Sequence, residues 1–316
     1  MNSLSKKLII LLCFFIVFLI SCGKQVKNKT ENTESAKLET KNDVDLAIIT
    51  PDKLTYYMIK DIVKDKHYVE YMFKNRDSEI NFQFSADSLG NVAKKDLFIY
   101  MGAGFEPWIN DFIDKLNKSK VGVINMSRGV KLLSYNKVIK YKDTVLKDNP
   151  FYLLNIDNYK VALVNIKNSI QDRDPKNRDL YEKNFAQALK DIESSQKELK
   201  GIRDKLVNYT FIVPEDELSY FTKYNDLKVL DLSKDSNGII TINANANLNL
   251  QLKDTKDKIF LYSDEAVLKG NDALIKEYNL KVINIKIYNG EIRYGDIIKY
   301  NTESLKKFYE SETVKR

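Results

Sequence analysis

Histidine is nearly missing from this sequence. A single one, His67, stands in 316 residues, which excludes a histidine-rich metal centre and leaves one residue for any Ser-His-Asp arrangement. His67 has no nucleophile-elbow context and reads as an ordinary surface residue. Cysteine is equally scarce, with only Cys13 and Cys22, so neither a disulfide framework nor a thiolate metal cluster is on offer. No Walker A string occurs, and Gly102-Ala103-Gly104 lacks the third glycine of a dinucleotide-binding turn. Carboxylates are plentiful, but spacing marks no pair as acid and base. The chain is therefore not expected to be an enzyme. A basic stripe with interleaved aromatics is also lacking: the formal net charge of +7 is spread over 30% charged residues of both signs. Nucleic acid is not an expected partner.

What is present begins at the N-terminus. Lys6 and Lys7 precede an apolar run from Leu8 to Ile20, which ends at Ser21-Cys22-Gly23. This is a basic region, a short apolar region and a processing site. The run falls short of the roughly 20 residues that cross a bilayer as a helix, so it reads as a signal rather than an anchor. Leu19-Ile20-Ser21-Cys22 resembles the bacterial lipobox. That resemblance implies a signal peptide over 1–21, lipid (a thioether-linked diacylglycerol, with palmitate) on Cys22, and attachment to a membrane through it. The protein would then be exported and lipid-anchored to the cell membrane or outer membrane, facing the periplasm or the exterior. Cys13 falls in the discarded segment.

Residues 22–43 are almost free of apolar side chains and read as a lipidated flexible tether. The alternation in Asn243 to Asn249 reads as a loop or weak edge strand. From Val44 onward, short β-rich runs alternate with amphipathic stretches, the pattern of βαβ units and a mainly parallel sheet. Strands are expected at Leu46 to Ile49, Tyr68 to Phe73, Leu97 to Met101, Val121 to Asn125, Thr210 to Val213, Lys228 to Asp231, Ile259 to Tyr262 and Lys281 to Ile285. Helices are expected at Lys53 to Val63, Ala86 to Lys94, Trp108 to Leu116, Leu218 to Tyr224 and Ala266 to Tyr278. The strands fall into two groups, which gives an N-terminal α/β lobe over 44–156, linking helices over 157–208 and a C-terminal α/β lobe over 209–316.

Between the groups, Asp174 and Pro175 form a helix start, with Asp174 as cap. Leu180, Phe185, Leu189, Ile192, Leu199, Ile202 and Leu206 then mark one apolar face over about 32 residues, or roughly 48 Å at 1.5 Å per residue. Such a helix can brace two domains.

Several strings resemble the zinc- and manganese-type substrate-binding lipoproteins of ABC transporters, also called the cluster A or adhesin-like family. The clearest is Lys95 to Trp108 (KDLFIYMGAGFEPW), followed by Ser127 to Leu133, Phe211 to Tyr224 and Tyr294 to Leu305. The resemblance covers about Val44 to Phe308. It implies two Rossmann-like α/β lobes joined by a long rigid helix, with a ligand cleft between them, and a monomer that delivers metal to an ABC permease of a metal uptake system. Within the clearest string, glycines serve close backbone turns and Trp108 is expected to bury its ring.

The family's metal ligands carry over only in part. Its first two histidine positions align with Ile80 and Phe151, which cannot bind metal. The third, histidine or glutamate in relatives, aligns with Glu215, and the fourth, an aspartate, with Asn289. Glu79, Asn81, Asn149 and Asn155 lie next to the lost positions and offer substitute oxygens for a hard ion such as manganese, magnesium or calcium. The expected function is thus metal-ion (zinc- or manganese-type) substrate binding with a degenerate site, Glu215 and Asn289 its metal ligands and one divalent ion, manganese or zinc, its cofactor. The alternatives are a binding protein for a small organic ligand or metal chelate, and a non-transport surface or adhesive lipoprotein that keeps the fold as a scaffold.

Overall fold

The computed structural model describes residues 45–316 except 117–118, 142–143, 231, 233, 236, 241–251, 253–254, 256, 290–291 and 315–316. Cys22, the tether and the Asn243 to Asn249 alternation lie outside the described residues.

The first sheet is parallel and four-stranded, formed by β1 (Ala47–Thr50), β2 (Tyr68–Tyr71), β3 (Leu97–Tyr100) and β4 (Gly122–Asn125) in the order β2-β1-β3-β4. Its crossovers carry α1 (Lys53–Val63), α2 (Arg76–Ile80), α3 (Ala86–Ala93) and α4 (Ile109–Leu116). An antiparallel hairpin of β5 (Ser134–Tyr141) and β6 (Thr144–Asp148) follows, which the sequence pattern did not announce. Next come two long helices, α5 (Ile156–Arg173) and α6 (Arg178–Arg203). The second sheet has the order β10-β9-β7-β8, from β7 (Thr210–Ile212), β8 (Val229–Leu230), β9 (Lys258–Tyr262) and β10 (Lys281–Asn284). Helices α7 (Ser219–Tyr224), α8 (Glu265–Gly270), α9 (Asp272–Glu277) and α10 (Tyr294–Thr313) belong to this half. Among the described residues no helix is long and apolar enough to cross a membrane.

Strand side chains alternate between two faces, and the central strands are apolar on both because helices cover both. Ile48, Leu97 and Ile99 of the first sheet, with Phe211, Ile259, Leu261 and Ile283 of the second, join one core that also takes in Ile166 and Ile170 of α5 and Ile192 and Leu199 of α6. The opposite faces form separate cores: Ile49, Phe98 and Tyr100 pack with Trp108 and Phe112, and Ile212, Phe260 and Tyr262 pack with Leu274 and Tyr278. Trp108 is buried as expected. Helix α6 packs against α1 in the first half and against α10 in the second, so it does bridge the two sheets.

The start of that bridge differs from the expectation. Asp174 makes no cap bond, Pro175–Asn177 forms a 3-10 turn, and α6 begins at Arg178. The Asp174 carboxylate is diverted to the Tyr181 hydroxyl, 2.5 Å away, and to Asn177 Nδ2. Tyr181 in turn meets His67 Nε2 at 2.7 Å. His67 is therefore no surface residue: it is 5% exposed, and its Nδ1 accepts the Leu46 amide at 3.2 Å. The stretch expected as one helix from Ala266 to Tyr278 is two, α8 and α9, meeting at Asn271. That side chain accepts from Ile240 N and donates to the Gly238 and Val267 carbonyls.

Candidate functional site

The residues expected to hold metal sit in different settings. Glu215 is 6% exposed, and its carboxylate is already engaged: Oε1 accepts from Ser263 Oγ at 2.5 Å and Asp264 N at 3.1 Å, and Oε2 from Ser263 N at 2.7 Å. Burial pushes its pKa up, and the Ser263 and Asp264 bonds hold it back. This carboxylate ties the end of β7 to the end of β9. Asn289 is exposed. Ile80 is half-buried at the end of α2, and Phe151 is half-buried in an aromatic group. Its ring lies 6.1 Å from Phe105 and 5.3 Å from Tyr288, and Phe105 and Tyr288 are 5.4 Å apart. Tyr288 donates its hydroxyl to the Pro150 carbonyl. Three rings from the two halves and the segment between them thus pack together.

Of the substitute oxygens, Asn81 is exposed and Asn155 caps α5 by accepting from Asp157 N at 2.8 Å. Asn149 is buried, donating to the Asp216 carbonyl and accepting from Phe151 N. Glu79 alone enters a cluster of acids. One carboxylate oxygen from each of Asp52, Glu79 and Glu106 lies within 4.8 Å of the others, and the three residues are 2%, 2% and 0% exposed.

Each acid is placed by local structure at the carboxyl edge of the first sheet, where open α/β sheets bind ligands. Asp52 follows β1 and caps α1, accepting from Thr55 N at 2.8 Å and Thr55 Oγ1 at 2.7 Å. Glu106 follows β3 in a turn whose residues Gly102, Ala103 and Gly104 all have positive φ, of 77°, 55° and 79°. The turn brings its carboxylate back onto the Met101 and Gly102 amides, at 2.7 and 2.9 Å. A Cβ on Gly102 would lie 2.1 Å from Asn125 Oδ1, so the close approach requires glycine. Glu79 lies in α2, after β2, and the Trp108 indole donates to its carbonyl at 2.8 Å.

Among the described residues, Arg76 is the cation that acts on all three acids. Arg76 Nη1 is 2.8 Å from Glu79 Oε2, its Nη2 donates to the Phe105 carbonyl at 2.5 Å, and its guanidinium lies 3.6 Å over the Phe105 ring. Glu79 Oε1 is buried without a hydrogen-bond partner. Burial, then repulsion from Asp52, holds the Glu79 carboxyl well above its usual range, against the pull of Arg76. Burial and Asp52 likewise raise Glu106 to about 7, although two backbone amides oppose it. Asp52 is raised by burial, with the Thr55 bonds opposing. Asp52, Glu106 and Arg76 were not singled out from sequence. The available signal was positional, since Asp52 and Glu106 each follow a buried parallel strand.

The described ZnuA family, zinc-uptake complex component A (periplasmic), matches residues 48–308. The chain belongs to the ZnuA family. The high-affinity zinc uptake system protein ZnuA of Bacillus subtilis (strain 168) is 22% identical over 315 residues, covering 94% of this chain and 95% of that protein. The manganese ABC transporter substrate-binding lipoprotein PsaA of Streptococcus pneumoniae is 26% identical over 232 residues, 69% of each chain. Among solved structures, the metal-dependent lipoprotein YcdH of Bacillus subtilis superposes with a TM-score of 0.67 at 22% identity, covering 83% of this chain and 99% of that one. The Zn(II)-bound ZnuA-like domain of Streptococcus pneumoniae AdcA gives 0.65 at 19% identity, covering 84% and 98%. These structures share the fold: α/β, with two lobes. ZnuA-family proteins are solute-binding proteins, and this member is not an enzyme.

Proposed function

We propose that this protein is the exported substrate-binding component of a metal-ion ABC uptake system, held to a membrane by lipid on Cys22. The observation that carries the reading is the family match over residues 48–308. Relatives named for zinc and manganese support a divalent ion as cargo, and relatives named as lipoproteins support the anchor. The working partners are then a permease and an ATPase, and the folded part acts as a monomer outside the cell membrane. Neither the organic-ligand alternative nor the scaffold alternative has a comparable observation behind it.

The test is titration of the metal-stripped mature protein, with Cys22→Ser to remove the lipid, against manganese and zinc by calorimetry. Binding at micromolar concentration or tighter by either ion is expected. No heat and no thermal shift with either ion contradicts metal capture. Lipidation is tested separately: radiolabelled palmitate should enter the wild-type protein in cells and not the Cys22→Ala variant.

A further inference from the structure

The order β2-β1-β3 sets three strand ends side by side, and each delivers one acid: Glu79 after β2, Asp52 after β1, Glu106 after β3. Three buried carboxylates with oxygens within 4.8 Å repel one another, and Arg76 is the guanidinium that pairs with the group. The satisfied oxygens keep spare capacity, because a carboxylate offers about four lone-pair sites, and the bonds to Asp52 and Glu106 come from Thr55 and the Met101 and Gly102 amides. A second observation singles out the cluster. Glu79 Oε1 is buried in it with no partner, and the Thr50 hydroxyl, two residues before Asp52, is buried and unpartnered as well.

The donor set has a chemical preference. It is all oxygen, from three carboxyl groups that a bound cation would hold deprotonated, which suits manganese, magnesium or calcium, whereas zinc favours nitrogen and sulfur donors. The histidine of this chain is committed elsewhere, to Leu46 and Tyr181.

We propose that Asp52, Glu79 and Glu106 form an oxygen-only site for one hard divalent cation of the manganese class, with Arg76 as the resident counter-ion that the metal displaces. The site differs from the expected pair Glu215 and Asn289, and it rests on the metal-capture reading above. Arg76 is suited to the exchange. It bridges Glu79 to the Phe105 carbonyl and ring, and Phe105 packs on Phe151 and Tyr288. Release of the guanidinium therefore passes directly to the aromatic group joining the two halves.

The probe is Mn(II) with the metal-stripped mature Cys22→Ser protein, read by calorimetry and by loss of the free-ion six-line resonance spectrum. Glu79→Gln is expected to weaken binding at least 100-fold, with Asp52→Asn as a second variant should the first fail to fold. Arg76→Gln is expected to tighten binding several-fold by removing the competitor, and Glu215→Ala to change it less than threefold. Wild-type affinity in folded Glu79→Gln and Asp52→Asn overturns the site while leaving metal capture intact. Weaker binding in Arg76→Gln overturns the counter-ion role. No Mn(II) binding by the parent overturns the site, and only if zinc fails too does the uptake reading fall with it.

Discussion

At the scale of single residues, the chain uses its one histidine for structure. Because Nδ1 of His67 accepts the Leu46 amide, the ring proton sits on Nε2 and points to the Tyr181 oxygen, whose hydroxyl in turn donates a hydrogen bond to Asp174. Burial lowers the pKa of this ring below its usual 6.5, and Asp174 only partly opposes that. A folded pKa below the unfolded one means the unfolded chain binds the extra proton first. The His67 contribution is then fully present above about pH 6.5 and is lost as pH falls through the folded value. The raised carboxyls of Glu79 and Glu106 act in the opposite sense over the same range, so the test is the difference between two proteins. In thermal melts of the metal-free protein between pH 7.5 and 5, His67→Gln should lack the loss on acidification that His67 contributes to the wild type, and an identical pH dependence in the two counts against the arrangement. Gly102 makes the complementary case in backbone. Gly102→Ala adds an unfavourable left-handed residue at about 1–3 kcal/mol, plus the clash with Asn125, so a loss of at least that size is expected in denaturant titrations.

At the scale of elements, the unannounced hairpin β5-β6 is fixed to the second half by one buried acid. Asp216, 1% exposed, accepts from Asn136 N at 2.9 Å, Asn136 Nδ2 at 3.2 Å and Lys234 Nζ at 2.8 Å, while its carbonyl accepts from Asn149. Burial alone would raise this carboxyl, but the Lys234 and Asn136 bonds more than offset it, and its pKa is lowered. Asp216→Ala should therefore loosen residues 134–148 first. Hydrogen exchange there should rise by an order of magnitude or more, with little change in β1 and β3.

The same elements show what a sequence can reveal. The runs at Leu46 to Ile49, Leu97 to Met101 and Ile259 to Tyr262 were legible because parallel strands covered on both faces are apolar without interruption. The hairpin was not: Ser134–Tyr141 alternates polar and apolar residues weakly and is held by the contacts of Asp216, which no local pattern contains. The start of α6 misled for a related reason, since Asp174 has the right identity for a cap but a distant partner, Tyr181, wins it. In the site, Glu79 was legible as an oxygen donor beside Ile80. The acids at 52 and 106 were not, because their meeting depends on sheet order rather than spacing.

At the scale of the molecule, the two sheets share one apolar core with α5 and α6, running from Leu46 and Ile48 to Ile283 and Leu305. A continuous core should unfold as a unit. Trp108, the single tryptophan, reports on the first sheet. Its fluorescence should change at the same temperature as the far-ultraviolet dichroism of the whole chain, and two separated transitions would show that the halves melt independently.

In the proposed arrangement the carboxyl edge of the first sheet, not the Glu215 position, receives the cation. The most direct measurement is an anomalous difference map from crystals of the mature protein grown with manganese, collected at the metal edge. One peak is expected within about 2.0–2.4 Å of carboxylate oxygens from Asp52, Glu79 and Glu106, with the Arg76 guanidinium moved off Glu79. A peak at Glu215 or Asn289 with the three acids unliganded, or no ordered metal in crystals of protein saturated with manganese, would contradict it.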